Sequence, residues 1–151
     1  MARPKAEPGD DAAAAFQENM LHLVRSLGLH KPDETPCGHP ISVGEAHALL
    51  EIAREPGISQ NGLVGRLRLE KSTVSRLATM LETRGWVRRL RDQVDGRVVR
   101  LHLTQRGIKA NSEIAASRRA KFERIFTAIP VAHRRSVADA LSLLLEATRD
   151  V

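Results

Sequence analysis

The sequence predicts a mainly α-helical fold with one small β-hairpin set between helices. Three observations carry that reading. Apolar residues recur at three- and four-residue steps along most of the chain, an alternating apolar/polar run is confined to residues 86–103, and Ser, Thr, Gly and Pro fall at the boundaries these patterns imply. At 151 residues, 42% of them hydrophobic, the chain has the size of one domain and enough apolar side chains for a folded core.

Residues 1–11 are polar, carry Pro4, Pro8 and Gly9, and read as a disordered tail. Over residues 12–29, Phe16, Met20, Leu23, Val24 and Leu27 form one stripe, which predicts an amphipathic helix ending near Gly28. Three prolines and Gly38 between His30 and Pro40 predict a loop. Ser42-Val43-Gly44-Glu45 then has capping-box spacing: the Ser42 hydroxyl can accept from the Glu45 amide while the Glu45 carboxylate accepts from the Ser42 amide. The helix it opens carries Leu49, Leu50, Ile52 and Ala53 and stops at Pro56-Gly57.

Ser59 is placed to cap a short third helix with Leu63, Val64 and Leu67 inward, and after a turn at Arg68-Leu69 a fourth begins near Lys71. In the fourth, Val74, Leu77, Ala78 and Leu81 lie on one stripe and Ser72, Ser75, Arg76 and Thr79 on the other. Two short helices joined by a tight turn form a helix-turn-helix. Gly85 suits the left-handed position after a helix, and the runs 86–90 and 98–103 flank Asp95-Gly96 as a hairpin. Thr104 caps a long helix reaching about Ala128, and Pro130 separates it from a last one bearing Val137, Leu141, Leu144 and Leu145. Residues 42–104 therefore read as a winged helix-turn-helix lobe. Residues 12–29 and 105–151 read as a helical dimerisation region drawn from both termini, the whole forming one continuous domain.

The net charge of +6 is unevenly placed. Residues 54–109 hold 13 Lys/Arg against 5 Asp/Glu, giving +8, and the rest holds 11 against 13, giving −2. The cationic surplus thus lies where a polyanion would bind. Aromatic residues make up 3% and Tyr is absent, which disfavours a single-strand binder that stacks bases on exposed rings. A single cysteine rules out an intrachain disulfide framework, and the first residues hold no apolar run for secretion or a membrane, so a cytoplasmic location is expected. There is no Gly-rich phosphate loop, no zinc-protease helix and no nucleophile with a base and orienter, so neither an enzyme nor a cofactor is expected. The six histidines form no paired ligand set, and no metal site is expected.

Residues 42–107 resemble the MarR family of transcription regulators. The most specific match is Asp95-Gly96-Arg97 followed by Leu103-Thr104 and Gly107, after a helix ending in Arg84-Gly85-Trp86-Val87. The flanking helices match in pattern only. Gln93 stands where many relatives have proline, and Arg68 where the turn often has glycine, a position in which an L-residue costs roughly 1 kcal/mol. The resemblance implies a homodimer with the fourth helix in the major groove, the wing beside or in the minor groove, and an effector site between the dimer helices and the DNA-binding lobe.

On this reading the recognition-helix contacts to double-stranded DNA are Lys71, Ser72, Thr73, Ser75, Arg76 and Thr79, with Arg76 the candidate for a bidentate contact to guanine. The wing contacts are Arg91, Asp95, Arg97 and Arg100, with Arg97 entering the minor groove and Asp95 fixing its direction through a paired hydrogen bond. Arg66, Arg84, Arg88 and Arg89 are expected on phosphates. Phe16, Met20, Val137, Leu141, Leu144 and Leu145 are expected to bury across a two-fold axis. Cys37, His39 and His47 are the candidates for an effector or redox site, in a ligand-responsive repressor acting on a pseudo-palindromic operator. The alternatives are a thiol- or metal-responsive version working through Cys37, or a winged-helix module that docks proteins. Outward Arg76 and the +8 segment argue against the last, which would expose apolar anchors instead.

Overall fold

The computed structural model describes residues 8–149. Its elements in order are α1 (Pro8–Leu27), α2 (Val43–Arg54), β1 (Ile58–Ser59), α3 (Gln60–Leu67), α4 (Lys71–Thr83), β2 (Val87–Arg91), β3 (Val99–Leu103), α5 (Gln105–Ala128) and α6 (Arg134–Ala147), with a short 3-10 turn at Val131–His133. This is the predicted class, mostly helical with a small antiparallel sheet.

Helix α1 starts at Pro8 rather than Ala12, so the expected tail of residues 1–11 is helical in its last part and otherwise lies outside the described residues. Proline suits a first helical position because its missing N–H has no intrahelical acceptor there, and Asp11 places negative charge near the positive end of the helix dipole.

The capping box forms as the sequence dictates. The Ser42 hydroxyl accepts from the Glu45 amide at 3.1 Å, and Glu45 Oε2 accepts from the Ser42 amide at 3.0 Å and from its hydroxyl at 2.9 Å. Ser59 likewise accepts from the Gly62 amide at 2.9 Å to open α3. Between α3 and α4 Arg68 adopts φ 52°, ψ 43°, the left-handed conformation that glycine would take without strain. Beyond α4, Gly85 at φ +71° closes a Schellman motif: its amide donates to Glu82 O and the Trp86 amide to Leu81 O.

The sheet has three strands in the order β1-β3-β2, all antiparallel. Strand β1, paired as Ile58↔Leu101 and Ser59↔Arg100, is too short to show alternation in the sequence. In the wing Asp95-Gly96 does not form a two-residue turn, since Gly96 is not among the positive-φ residues. The loop is longer and closes through Asp92 N–H to Val98 O and Val98 N–H to Asp95 O, each 2.9 Å.

Leu49, Ile52, Ile58, Leu63, Val74, Leu81 and Leu101 form a buried core linking α2, β1, α3, α4 and β3, each large side chain contributing roughly 1.5–3 kcal/mol. Gly107, Ala110 and Ile114, on the first turns of α5, are buried with them. The chain accordingly divides into two compact units, up to Ile114 and from Ala115 on, so the boundary falls inside α5 rather than at residue 105. In the second unit Arg134 caps the end of α5, donating to Ile129 O and Thr127 O, with its guanidinium 5.2 Å from the Phe126 ring.

Candidate nucleic-acid interface

Helix α4 buries Val74, Leu77, Ala78 and Leu81, which fixes its rotation and leaves Lys71, Ser72, Arg76 and Thr79 exposed with Thr73 and Ser75 half-buried. The same argument sets the sheet. Leu101 points into the core, so Arg100 and His102 project from the opposite face of β3.

Charge alone does not identify which cations are available, because ion pairing sorts them. Arg84 donates to buried Glu45 at 2.8 Å and lies 5.4 Å from the Trp86 ring. Arg66 pairs with Glu55 at 2.8 Å. Arg89 donates to Ser75 O at 3.0 Å and to the Thr79 hydroxyl at 2.8 Å. Arg100 pairs with Asp92 and donates to Gly57 O at 3.1 Å, tying the wing to the residue before β1. Each of these was expected on DNA, and each has a partner within the fold. Among the described residues between 54 and 109, Arg68, Lys71, Arg76, Arg88, Arg91, Arg97 and Arg106 stand exposed with no ion-pair partner.

The wing is also organised differently from expectation. Asp95 does not pair with the Arg97 guanidinium; its Oδ1 accepts from the Arg97 amide at 3.0 Å. The organising carboxylate is Asp92, which accepts from the amides of Val94 and Asp95 and from Arg100. The Asp95 amide, the Arg100 guanidinium and the Val94 amide hold its pKa down to about 2, so it stays charged across the physiological range. The Thr79 hydroxyl donates to Ser75 O while accepting from Arg89, so its proton is engaged within α4.

Two concavities border these residues. One, of about 200 Å³, brings Ser59, Gln60 and Asn61 from the start of α3 together with Lys71 and Arg97. Gln60 and Asn61 were not legible as site residues, because only the fold sets the α3 entrance beside the wing. The other, of about 290 Å³, is walled by Ile52, Leu103 and Ile108, with Arg88, His102 and Asn111 as its polar groups. Arg88 and His102 are cross-strand partners on one side of the sheet.

Cys37 and His39 lie in the loop before α2, around buried Thr35, whose hydroxyl is 3.2 Å from the Cys37 sulfur and accepts from the His39 amide at 3.0 Å. His47 is exposed on α2. Among the described residues no group of three or more His, Cys, Asp or Glu could hold a metal ion, and no helix is long and apolar enough to cross a membrane.

Phe16, Val137, Leu141 and Leu145 are 51%, 38%, 50% and 66% exposed, Met20 is 37% exposed, and Leu144 is half-buried.

Residues 41–99 match the MarR family model. A helix-turn-helix transcriptional regulator of Mycobacterium bovis is 26% identical over 133 residues, spanning 84% of this chain and 87% of its own. FabT of Streptococcus pneumoniae, solved in complex with DNA, superposes with a TM-score of 0.68 at 23% identity, over 93% of this chain and 95% of its own. BpsR of Bordetella bronchiseptica, whose DNA binding is regulated by 6-hydroxynicotinic acid, gives 0.63 at 17% identity over 100% and 99%. The chain is thus similar to the MarR family model over residues 41–99 and, over most of its length, to helix-turn-helix transcriptional regulators.

Proposed function

We propose that the protein is a cytoplasmic, ligand-responsive repressor that binds double-stranded DNA as a homodimer on a pseudo-palindromic operator. The observation that carries this is the sorting of cations. Lys71 and Arg76 on α4 and Arg91 and Arg97 on the wing are exposed and free of ion pairs, and these are the two elements that a winged helix-turn-helix presents to the grooves. Arg76 reads a guanine in the major groove, while Ser72, Thr73 and Lys71 at the start of α4 and Arg91 on β2 hold phosphates. Arg97 enters the minor groove, where the potential is most negative. The exposed apolar side chains of α1 and α6 support dimerisation, since a monomer would leave Phe16, Leu141 and Leu145 in water.

The test is binding of wild type, Arg76→Ala and Arg97→Ala to a duplex the protein selects from a random pool, and to its scrambled version, across a salt series. Two chains per selected site are expected. Arg76→Ala should lose ~1–3 kcal/mol on the selected duplex and relax preference at one base pair. Arg97→Ala should weaken both duplexes and flatten the slope of log affinity against log salt by roughly one per subunit. One chain per site would overturn the dimer, and an Arg97→Ala protein binding both duplexes like wild type at every salt would overturn the wing assignment.

The effector is assigned to the cleft bearing Arg88, His102 and Asn111 rather than to Cys37, His39 and His47. An apolar wall facing a guanidinium and an amide suits a small aromatic carboxylate. In a panel of such acids that includes 6-hydroxynicotinic acid, compounds that release wild type from DNA should not release Arg88→Ala. Equal release of both proteins would place the effector elsewhere.

A further inference from the structure

We propose that Arg89 is a positioning residue for DNA reading: from the root of the wing it grips the middle of the recognition helix and fixes the spacing between Arg76 and Arg97. Arg89 sits on β2 opposite Leu101, so its side chain leaves the sheet on the core-facing side, toward α4. One terminal nitrogen, Nη2, donates to Ser75 O at 3.0 Å and to the Thr79 hydroxyl at 2.8 Å. The Thr79 hydroxyl donates to the same Ser75 carbonyl at 3.0 Å, so the three groups form a closed polar cluster on one turn of α4. Glu82, one turn further on, approaches Arg89 Nε at 3.6 Å. That Nε is buried without a hydrogen-bond partner, which shows the side chain held by its far end and by packing.

Residues 75 and 79 flank Arg76 on the helix that enters the groove, so the grip acts where rotation of α4 would most displace the reading side chain. The first residue of the wing loop, Asp92, follows Arg89 by three positions and is itself fixed by Arg100. Arg89 therefore links the two elements proposed to contact DNA. A phosphate contact, the role its charge suggests, would leave Nη2 free for solvent instead of engaging it with Ser75 and Thr79.

This inference rests on α4 being the reading helix, and the experiment separates the two. Selected and scrambled duplexes are titrated with Arg89→Ala, Thr79→Val, Thr79→Ser, the Arg89→Ala/Thr79→Val double variant and Arg76→Ala. Circular dichroism first establishes that each is folded. Arg89→Ala should lower the ratio of selected to scrambled affinity by about tenfold, with scrambled affinity and salt slope unchanged. Thr79→Val should move the ratio the same way, Thr79→Ser should restore it, and the double variant should be no worse than Arg89→Ala alone. A parallel fall on both duplexes with a flatter salt slope would make Arg89 a phosphate contact and overturn the proposal. Additive effects in the double variant would make Thr79 a direct reader and overturn it equally. If Arg76→Ala keeps the full ratio, the reading-helix assignment fails first, whatever Arg89 does. Should Arg89→Ala prove unfolded, the Thr79→Val and Thr79→Ser pair still decides: two wild-type ratios there would overturn the grip.

Discussion

Gly107→Ala should destabilise the protein by about 3 kcal/mol or more, although alanine is ordinarily the better helix former by about 1 kcal/mol. A Cβ at this position would lie 1.9 Å from the Trp86 carbonyl oxygen and 2.8 Å from its carbon, and both are backbone atoms. The carbonyl cannot swing aside freely, because it accepts the Thr104 amide at 2.9 Å. Thr104 is fixed in turn: its hydroxyl donates to Gly85 O at 2.6 Å and accepts from the Gly107 amide at 3.0 Å. The start of α5 is thus seated directly on the start of β2, and any side chain at 107 must part them. Gly65→Ala, also inside a helix but with nothing within 4 Å of the new methyl, is the control and should stabilise by up to about 1 kcal/mol. Urea midpoints of the two variants should move in opposite directions. A Gly107→Ala protein as stable as Gly65→Ala would mean that α5 does not approach Trp86 as described.

Gly107 also shows which parts of this protein are legible in its sequence. Features written into a few adjacent residues could be read directly: the Ser42–Glu45 capping box, the Ser59 cap, the left-handed glycine at 85, the strained Arg68 and the buried stripe of α4. They depend on local spacing, which sequence displays. The site was legible as a region but not as a set of side chains. Arg84, Arg89 and Arg100 look like Arg76 and Arg97 in the sequence, yet the partner of Arg84 lies 39 residues away and one partner of Arg100 lies 43 away. Only the folded chain brings those partners within reach, and only then does a structural arginine differ from an available one. Strand β1 was missed for a related reason, since two residues carry no period and their pairing with β3 is the whole signal. Asp92 and Asp95 stand three residues apart in one loop, and the turn geometry decides which organises the wing.

Glu45→Gln should lower stability by about 2–3 kcal/mol near neutral pH, and that loss should shrink in acid. Glu45 is 1% exposed, yet it accepts from Arg84, from the Ser42 amide and from the Ser42 hydroxyl. Burial by itself would raise the carboxyl pKa; the hydrogen bonds from Arg84 and Ser42 outweigh it and hold the pKa below the ordinary value of 4.5. Glutamine has the same shape but no charge, and its amide nitrogen would face the Ser42 donors. Breaking a fully buried pair typically costs about 3–5 kcal/mol; the Arg84 side chain is 36% exposed and recovers some hydration, which sets the lower figure here. The sign with pH follows from the direction of the shift. A carboxyl whose folded pKa is depressed stabilises the native state fully above 4.5, and that contribution is lost as pH falls through the folded value. Wild type should therefore lose stability over that acidic window while Glu45→Gln, which has no proton to take up there, loses less, so their urea midpoints converge. A gap that stays constant from neutral pH to well below 4.5 would mean that the charge of Glu45 does not hold Arg84. Arg84 follows the last turn of α4 and Glu45 lies on the first turn of α2, so this pair joins the end of α4 to the start of α2. On the function proposed above, loosening it should lower affinity for selected and scrambled duplexes together, because it frees the whole of α4 rather than the single side chain, Arg76, proposed to read a base.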